Sequence, residues 1–309
     1  MKPPFDILVA GEINPDLILS GDVEPEFDQV EKLVDSATLA IGSSSVIFAC
    51  GAARLGLKVA FTGKCGDDIF GRFMLAEMNS HGIDTASVMV QPGGQTGLSV
   101  ILNRGANRAI LTHTGLIASL TSSEVGDDLL RKVRHLHVAS YFLQTGLQPG
   151  LADLFRRAHA LGLTTSLDPN WDPSGEWRGF DTLLPAVDVF LPNENEALAL
   201  THTKNIDTAC QRLGETCKVA VIKLGAEGAI GRRGNESIRV PALSIEVVDT
   251  IGAGDSFDAG FLYGFLSGWG LEKCLRLAAA CGSLSTSGEG GTTAQPKLEE
   301  AMKHVPPAG

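Results

Sequence analysis

The chain has 309 residues, of which 44% are hydrophobic and 20% are charged, and its formal net charge is −11 at pH 7. This composition is typical of an ordinary globular protein and argues against a disordered or fibrous chain. Because an acidic surface binds nucleic acid and anionic membranes poorly, neither is expected as a partner. The six cysteines show no CxxC pair and no metal-type spacing, so we expect buried, reduced thiols in a cytoplasmic protein.

Short apolar or β-branched runs alternate with longer helical patterns, which is typical of βαβ units on a mostly parallel sheet. The predicted core strands are Ile7–Ala10, Val59–Thr62, His135–Ala139, Thr164–Leu167, Val187–Leu191 and Val219–Lys223. The predicted helices are Ser44–Leu55, Asp67–His81, Ser122–Lys132, Gly150–Ala160, Glu194–Thr201 and Leu271–Thr286. We therefore expect an α/β fold.

Two stretches interrupt this alternation with strand patterns that have few helices between them. They are Asp16–Ser20 with Ala37–Ile41, and Ser87–Thr112. The second contains a predicted turn at Asn103–Asn107, where Gly105 can adopt a positive φ. Residues of about 13–42 and 87–113 should thus form a small β sheet at the edge of the main sheet. Because an exposed sheet must be covered or paired, we expect a lid, a homodimer surface, or both.

The segment Asp249–Phe261, DTIGAGDSFDAGF, is the most informative part of the chain. The small residues Gly252, Ala253 and Gly254 lead Asp255 into the first turn of a predicted helix. Amides at a helix start favour anions, yet a carboxylate there would repel a phosphate. The combination makes sense if the amides hold a phosphate while Asp255 takes a proton from the hydroxyl that attacks it. An Asp that merely complements the helix dipole would explain Asp255 alone, but not the flanking glycines.

Two common phosphate-binding motifs are missing from the sequence. Nothing matches GxxxxGK[ST], and no GxGxxG opens a helix after the first strand. If phosphate is handled by this chain, the Gly252–Asp255 turn is the segment that handles it.

The segment DTIGAGDSFDAGF resembles the C-terminal signature of the ribokinase-like, or PfkB-type, carbohydrate kinases. Four further segments agree with this family in order and spacing: GEINPD, IGSSSVIFACGAARLG with GKCGDDIFG, LDPNWDPS with LPNENEA, and IKLGAEGA. The resemblance covers essentially the whole chain and implies a single domain over residues 1–309. It also implies a three-layer α/β/α sandwich with a mostly parallel central sheet and a small β lid.

The activity that the resemblance implies is phosphoryl transfer from ATP, with Mg²⁺, to a small sugar or sugar-like alcohol. Asp255 would be the general base, and the turn of Gly252, Ala253 and Gly254 would form the anion hole. A nucleoside kinase or a sugar-phosphate kinase of the same family is an alternative. A sugar- or nucleotide-sensing protein without turnover is another, but the intact Asp255 and Gly254 argue against it.

The resemblance also places the sugar. Asn14 and Asp16 follow the first strand and would bind sugar hydroxyls, and Asp255 would face the accepting hydroxyl. The backbone of Gly42, Ser43 and Ser44 would approach the substrate closely, although a Ser hydroxyl here can equally cap the helix that follows.

The chain departs from the family pattern in this region, since Ser43 replaces a second glycine. Ile47 stands where many members have an Asn that contacts the sugar. A hydroxyl facing Ile47 would be desolvated without a partner, which costs roughly 1–3 kcal/mol. We therefore expect poor use of ribose and better use of a deoxy or keto-deoxy sugar acid. An acidic substrate would need a cation, which Arg104, Arg108 or His113 could supply.

On the nucleotide side, the resemblance implies contacts from a set of mostly small or polar residues. They are Asn193, Lys223, Gly225, Gly228, Gly254 and Cys281. Asn193 and Glu196 would also organise water around Mg²⁺, which prefers oxygen ligands and keeps most of its water. A capping box between the same two residues is an equally good explanation.

Many members of this family are activated by a monovalent cation such as K⁺, bound near the anion hole. Here the candidate ligands are Asp249, Ile251, Ser285 and Gly290. A cation under the Gly252–Asp255 turn would fix its amides for phosphate.

Overall fold

The computed structural model describes residues 3–104 and 107–306. In chain order, its strands are β1 (Ile7–Ala10), β2 (Pro15–Ser20), β3 (Ser36–Ile41), β4 (Val59–Thr62), β5 (Lys64–Gly66), β6 (Met89–Gln91), β7 (Leu98–Arg104), β8 (Asn107–His113), β9 (His135–Val138), β10 (Thr164–Leu167), β11 (Val189–Phe190), β12 (Val219–Lys223), β13 (Ala229–Arg233) and β14 (Glu236–Val240). Its helices are α1 (Ser44–Arg54), α2 (Ile69–Ser80), α3 (Asp127–Leu130), α4 (Gln148–Ala160), α5 (Phe180–Leu183), α6 (Glu194–Thr201), α7 (Ile206–Thr216), α8 (Ala253–Leu266), α9 (Leu271–Ser285) and α10 (Leu298–Met302).

The largest sheet has eight strands in the order β14-β13-β12-β11-β10-β9-β1-β4. The run from β12 to β4 is parallel, whereas β13 and β14 form an antiparallel edge. The predicted α/β class with a mostly parallel central sheet is therefore confirmed. All parallel strands end at the same edge of this sheet, which is where the polar residues of the site collect.

Helices cover both faces of this sheet because successive strand residues point to opposite sides. In β1, Ile7 and Val9 pack into a core that includes residues of α1, α8 and α9. The intervening Leu8 and Ala10 pack into a second core that includes residues of α4 and α7. The fold is thus a three-layer α/β/α sandwich, as the sequence resemblance implied.

A separate four-stranded sheet has the order β3-β2-β7-β8 and is built from the two predicted insertions. We call it the lid sheet, after its predicted role. The predicted turn residue Gly105 lies outside the described residues. The strands β3 and β8 form the two edges, and the apolar side chains of Leu39, Ile110 and Leu111 are 39%, 53% and 61% exposed there. Such an edge can accept a further strand.

Some predicted elements have different bounds in the structure. The helix predicted at Ser122–Lys132 is only α3, because the Glu124 carboxylate accepts from the amide and hydroxyl of Thr121 and closes a separate turn first. The helix α7 and the hairpin of β13 and β14 were not among the predicted elements.

All six cysteines are buried with free thiols. Within residues 3–104 and 107–306, no helix combines the length and apolarity that crossing a membrane requires.

Candidate active site

The polar residues of the site follow the carboxyl ends of neighbouring parallel strands. Glu12 comes after β1, Ser140 after β9 and Asp168 directly after β10, while Lys223 is the last residue of β12. In open α/β sheets this edge is where ligands bind. The sheet order β12-β11-β10-β9-β1 therefore collects residues that lie more than 200 positions apart in the sequence at one edge.

The first turn of α8 lies over this edge and begins with a left-handed glycine. Gly252 has φ 70°, and no side chain caps the helix start. A Cβ on Gly252 would lie 2.8 Å from Cα of Gly291 and from Cγ2 of Ile47, so a side chain does not fit. The first amides of a helix lack intrahelical partners, so the amides of Gly254 and Asp255 are available to a ligand. This geometry suits the predicted anion hole.

The carboxylate of Asp255 is only 7% exposed. Burial raises its pKa well above the usual range, and the nearby negative charges of Asp168 and Glu12 raise it further. The ammonium of Lys223 and the hydroxyl of Ser44 act in the opposite direction. Asp255 is therefore a stronger base than an exposed aspartate, which suits a group that accepts a hydroxyl proton.

Lys223 places a positive charge beside the turn. Its Nζ lies 2.7 Å from Oδ2 of Asp168 and 3.1 Å from Oδ2 of Asp258. Burial alone would lower the pKa of Lys223, but the charges of Asp168, Asp258 and Glu196 raise it above the ordinary value. A Cβ on Gly254 would lie 3.5 Å from this Nζ. The ammonium thus stays charged next to the amides that would meet a phosphate.

A cavity of about 540 Å³ opens on one side of the turn. Four of the predicted nucleotide contacts, Lys223, Gly225, Gly228 and Gly254, line it. Gly228 has φ 96°, and a Cβ there would collide with the carbonyl oxygen of Val240. The remaining wall consists of small and apolar residues: Ala226, Ala242, Leu243, Ser244, Ile245, Val247, Thr250, Ala253, Phe257, Ala279, Gly282, Ser283 and Thr286. A flat nucleotide base fits such a wall.

The prediction that Cys281 contacts the nucleotide is corrected by the structure. Cys281 is 1% exposed, and its Sγ faces Gly260 between α8 and α9. The cavity is lined instead by Ala279, Gly282 and Ser283 of the same helix. These residues lie on one face of α9 at helical spacing, and position 281 points away from that face.

Asn193 and Glu196 form the capping box that was the alternative explanation for them. The side-chain oxygen of Asn193 accepts from the amide of Glu196 at 3.0 Å, and Oε2 of Glu196 accepts from the amide of Asn193 at 2.8 Å. Glu196 is 3% exposed, and burial raises its pKa to about 7, with a further contribution from the charge of Asp168. Neither Asn193 nor Glu196 lines the 540 Å³ cavity. Their predicted role at the metal stays a prediction.

The structure offers few metal-binding side chains on the side of the site where phosphate is predicted to bind. Within the described ranges, no three His, Cys, Asp or Glu side chains form a group that could hold a metal ion by themselves. Mg²⁺ commonly keeps several waters and binds one or two carboxylates together with substrate phosphates. Glu196 and Asp168, which interact through their charges, fit that requirement.

A second cleft of about 590 Å³ separates the lid sheet from the turn. Asn103, Asn107 and Arg108 of the lid line one side of it, and residues Val247–Ile251 line the other. The cleft therefore brings one of the predicted substrate cations, Arg108, opposite the segment that leads into the predicted anion hole.

Asp16 and Asn14 lie at the inner end of the lid sheet. Asp16 is 7% exposed, and burial raises its pKa to about 7 despite the lowering effect of the Arg108 charge. A Cβ on Gly42 would collide with the Asp16 carboxylate, so the glycine permits this close approach. Nδ2 of Asn14 donates to Oγ of Ser99 at 3.4 Å. Three of the predicted sugar contacts, Asn14, Asp16 and Gly42, thus lie together.

Two other predicted substrate cations, Arg104 and His113, do not line the 590 Å³ cleft, although Arg104 and Arg108 both border a smaller pocket of about 240 Å³ beside Glu24. Because side chains alternate along a strand, the pairing of Asn103 with Arg108 and of Leu98 with His113 puts Arg104 and His113 on the opposite face of the lid. Arg104 forms an exposed ion pair with Glu24 at 2.8 Å on that face. The expectation that Arg104 binds substrate is corrected accordingly.

Ile47 is also placed differently from the expectation. Its side chain is 3% exposed and packs against the backbone of Gly252 and Gly291, below the turn. It lines neither the 540 Å³ cavity nor the 590 Å³ cleft. A substrate hydroxyl in the cavity or the cleft would therefore not face Ile47, and Arg108 and Asp16 are the residues that bear on the choice of substrate.

Three of the four candidate cation ligands meet beside the turn. The two carboxylate oxygens of Asp249 accept from the amides of Ile251 and Gly290, each at 2.9 Å. The hydroxyl of Ser285 donates to the carbonyl of Gly282 at 2.9 Å. Activation by K⁺ stays a prediction.

Sequence reasoning missed three buried polar residues of this site. Glu12 is 2% exposed, Ser140 is 4% exposed and Asp258 is 1% exposed. The signals available were a Glu two positions before Asn14 in GEINPD, and a second Asp one turn after Asp255 in GDSFD.

This fold and this turn define the class of the protein. The model of the pfkB family of carbohydrate kinases matches residues 6–298. The chain belongs to this family and is a carbohydrate kinase, which confirms the family and the enzyme class that the sequence motifs implied.

Three curated relatives illustrate the range of the family. A protein of Archaeoglobus fulgidus described as an uncharacterized sugar kinase is 33% identical over 237 residues, covering 75% of this chain and 94% of that protein. An ATP-dependent ribose-1-phosphate kinase of Halopiger xanaduensis is 30% identical and covers 93% of this chain and 94% of its own length. A 5-dehydro-2-deoxygluconokinase of Geobacillus thermodenitrificans is 27% identical, with 98% and 94% covered.

Solved structures with the same fold cover nearly the whole chain. Adenosine kinase from Sinorhizobium meliloti superimposes with a TM-score of 0.85 at 28% identity, covering 97% of this chain and 98% of that chain. A candidate ribokinase II from E. coli, solved in complex with ATP and Mg²⁺, gives 0.86 at 24% identity, with 97% and 99% covered. The three-layer fold is thus shared with kinases of this type.

Proposed function

We propose that this protein transfers the γ-phosphoryl group of ATP to a hydroxyl of a small sugar derivative, with Asp255 as the general base. The observation that carries the proposal is the position of Asp255. The 540 Å³ cavity and the 590 Å³ cleft are both lined by Val247 and Thr250, so they meet at the segment just before the turn that holds Asp255. A nucleotide in the first and a sugar in the second would face each other across that turn.

In the proposed reaction, the Asp255 carboxylate accepts the proton of the substrate hydroxyl as its oxygen attacks the γ-phosphorus. A bond forms between that oxygen and phosphorus, and the bond to the bridging oxygen of ADP breaks, with its electron pair leaving on ADP. The amides of Gly254 and Asp255 would donate to the oxygens on which charge accumulates, whereas the amide of Ala253 donates to the carbonyl of Thr250 at 3.3 Å. Lys223 would add a fixed positive charge on the nucleotide side.

When bound, Mg²⁺ would neutralise charge on the nucleotide phosphates. Glu196 and Asn193 would hold it through water molecules. The proposal is supported by the burial of Glu196 near Asp168 and Lys223, and by the ATP and Mg²⁺ in the E. coli homologue of the same fold.

We infer that the substrate carries a negative charge, as a sugar phosphate or a sugar acid does. Arg108 lies in the cleft, and the strand pairing puts it on the same face of the lid sheet as Asp16, on whose carboxyl its charge acts. The names of two relatives point to the same chemistry, a ribose 1-phosphate and a deoxygluconate derivative. A neutral sugar would leave the charge of Arg108 without a role.

The experiment that tests the reaction compares Asp255→Asn with the wild type in a substrate panel read out by coupled ADP release. We expect kcat to fall by at least about 10²-fold while ATP affinity, measured by calorimetry, stays nearly unchanged. Asp128→Asn is the matched control, because the side chain of Asp128 is 99% exposed on α3. A variant at Asp255 that keeps more than about a tenth of wild-type kcat would refute the assignment of the base.

The same panel tests the alternative of a sensor. In one outcome, the wild-type protein binds ATP but transfers phosphate to none of the sugars, sugar phosphates, sugar acids or nucleosides in the panel. That result would favour the alternative of a sensing protein without catalytic turnover.

We also propose that a monovalent cation near Asp249 steadies the turn. The contacts of its carboxylate with the amides of Ile251 and Gly290 support this, because they fix the backbone on both sides of the place where such a cation would lie. Equal rates in K⁺ and in a large organic cation at matched ionic strength would refute it.

A further inference from the structure

A buried glutamine joins α1 to α8 beside the Gly252–Asp255 turn. Gln295 is 1% exposed and lies in the segment between α9 and α10. Its Nε2 donates to the carbonyl oxygen of Ile47 in α1 at 2.9 Å and to Oγ of Ser256 in α8 at 3.0 Å. Ser256 directly follows the proposed base in the sequence. One side chain therefore connects α1 to the first turn of α8.

The orientation of this side-chain amide follows from the chemistry of its partners. A backbone carbonyl such as that of Ile47 can only accept, so the end of Gln295 that faces it must be the NH2 group. This group has two N–H bonds, one for each of the two contacts. Among the residues that the structure describes, no group donates to Oε1 of Gln295. Because a buried acceptor without a partner lowers stability, the fold alone does not explain a glutamine at this position.

A glycine in α1 makes room for the amide. A Cβ on Gly51 would lie 2.9 Å from Nε2 of Gln295 and 3.1 Å from Cβ of Ala259. Glycine in the interior of a helix is destabilising relative to alanine, yet α1 has one here, a single turn after Ile47. The close approach of α1, α8 and the glutamine requires it.

The segment that ends at Gln295 also contacts the other side of the turn. The amide of Gly290 donates to Oδ2 of Asp249 at 2.9 Å. The next residue, Gly291, lies against the turn itself, since a Cβ on Gly252 would be 2.8 Å from Cα of Gly291. The segment therefore supports the turn on both sides, and Gln295 supplies the contact on the side of the proposed base.

We propose that Gln295 is a positioning residue for phosphoryl transfer. By tying Ser256 to α1, it fixes the first turn of α8, which carries the Asp255 carboxylate and the amides of the predicted anion hole. Gln295 lines neither the 540 Å³ cavity nor the 590 Å³ cleft, so it acts through α8 and not by touching a substrate. This inference rests on the proposed role of Asp255.

The first test is Gln295→Met, which retains the length of the side chain and removes the amide. Neither partner is left stranded, because the carbonyl of Ile47 keeps its helical partner and the Ser256 hydroxyl can donate to a carbonyl of its own helix. We expect kcat to fall by about 10- to 100-fold, because a small misplacement of reacting groups has effects of this size. The Kd for ATP, measured by calorimetry, and the KM for the best substrate of the panel should stay within about twofold of wild type, since the turn meets its largest charge only in the transition state.

The melting temperature separates positioning from a structural role. Gln295→Met also removes the buried Oε1, so the variant should melt at or above the wild-type temperature. Gln148→Met is the matched control, because Nε2 of Gln148 donates to the carbonyl of Tyr141 at 2.8 Å at the start of α4, which packs into the other core. It should lose thermal stability and keep kcat within about twofold of wild type. A loss of kcat in Gln295→Met that comes only with a lower melting temperature would make Gln295 a structural residue and overturn the proposal.

Ser256→Ala removes the other end of the same contact with a smaller change in volume. Its kcat should fall as well, and adding Gln295→Met should slow the enzyme by no more than about a further twofold, because the two residues act as one link. A wild-type kcat in Ser256→Ala, or losses that multiply in the double variant, would overturn the proposal even if Asp255→Asn is inactive. An active Asp255→Asn variant would instead overturn the proposed base itself.

Discussion

The ammonium of Lys223 lies 3.1 Å from Oδ2 of Asp258, a residue one turn after Asp255 on α8. The same ammonium lies 2.7 Å from Oδ2 of Asp168, so one cation holds two carboxylates whose side chains are 1% and 3% exposed. These contacts connect the end of β12, the end of β10 and the first turns of α8. The orientation of the Gly252–Asp255 turn over the sheet is therefore maintained by charge as well as by packing.

Removing the ammonium of Lys223 should have two separable effects, a lower free energy of unfolding and a higher KM for ATP. Lys223→Met leaves Asp168 and Asp258 buried without their partner, which typically costs about 3–5 kcal/mol. Adding Asp258→Leu removes one of these carboxylates and should recover much of that stability. The recovered protein should still have a raised KM for ATP, because Lys223 also lines the 540 Å³ cavity in which the nucleotide is proposed to bind. Urea unfolding and steady-state kinetics measure the two effects.

Lys218→Met is the control for this pair of variants. Lys218 also pairs with a buried carboxylate, that of Asp188 at 2.5 Å, but its own side chain is 74% exposed and lies before the other end of β12. It should lose little stability and no activity. If Lys223→Met with Asp258→Leu regains a normal KM for ATP, the ion pairs serve the fold alone.

The metal site yields a prediction that depends on pH. The pKa of Glu196 is raised to about 7, so its carboxylate is ionised above that pH and protonated below it. If Glu196 holds Mg²⁺ through water, more Mg²⁺ should be needed for half-maximal rate at pH 6 than at pH 8. Glu196→Gln should raise the requirement at pH 8 and remove its dependence on pH, and Asn193→Ala should raise it as well.

A glutamate that caps the start of another helix provides the control for this prediction. On α10, Oε2 of Glu300 accepts from the amide of Lys297 at 2.7 Å, and neither residue lines the 540 Å³ cavity or the 590 Å³ cleft. Glu300→Gln should change helix stability without changing the Mg²⁺ requirement. If Glu196→Gln lowers the melting temperature and leaves the Mg²⁺ curve unchanged, Glu196 is a helix cap and nothing more.

The elements that the sequence predicts well are those defined by local patterns. The Gly252–Asp255 turn is recognisable because glycine spacing and the start of a helix are local properties, and α6 begins and ends as predicted. Cys281 and Ile47 were misplaced because the face that a buried helix residue presents depends on how its helix packs against α8. The rotation of a helix about its own axis is set by tertiary packing, and a local sequence pattern does not specify it.

The lid and the polar residues around Glu12 show two other limits. Whether the side chains of Arg104 and Arg108 point to the same face of the lid sheet depends on how the strands β7 and β8 are paired. The alternation of side chains within each strand does not fix that pairing, so it could not assign the two arginines to their faces. Glu12, Ser140 and Asn170 follow three different strands, and only the order β10-β9-β1 brings them together. Sheet order is a long-range property that hydrophobic periodicity does not encode.

The exposed lid edge predicts association of two copies. Leu39 and Leu111 are exposed at opposite edges of the lid sheet, and unpaired edges with apolar side chains favour pairing. We expect a dimer at micromolar concentration in sedimentation, and Leu111→Glu should shift it to monomer. Ile69→Glu is the control, because Ile69 is 65% exposed at the start of α2, outside the lid. A wild-type protein that sediments as a monomer would contradict the dimer, although not the lid.

The substrate prediction rests on the contrast between two arginines of the lid. Arg108 lines the cleft opposite Val247–Ile251, whereas Arg104 pairs with Glu24 on the other face. For a sugar phosphate or sugar acid, Arg108→Ala should lower kcat/KM by about 10- to 100-fold, as expected for a lost charge-assisted contact of roughly 1.5–3 kcal/mol. Arg104→Ala is the matched control, and its kcat/KM should remain within about twofold of wild type, since an exposed ion pair contributes little.

The same variant should change the pH dependence of substrate binding. The pKa of Asp16 is raised to about 7 by burial and is lowered by the charge of Arg108. Asp16 accepts from sugar hydroxyls best as a carboxylate, so the KM for the sugar should rise as pH falls through about 7. Without Arg108 the pKa of Asp16 rises further, and the increase in KM should begin at higher pH. Asp16→Asn should abolish the dependence. Efficient turnover of neutral ribose that is insensitive to Arg108→Ala would show that the charge in this cleft does not select the substrate.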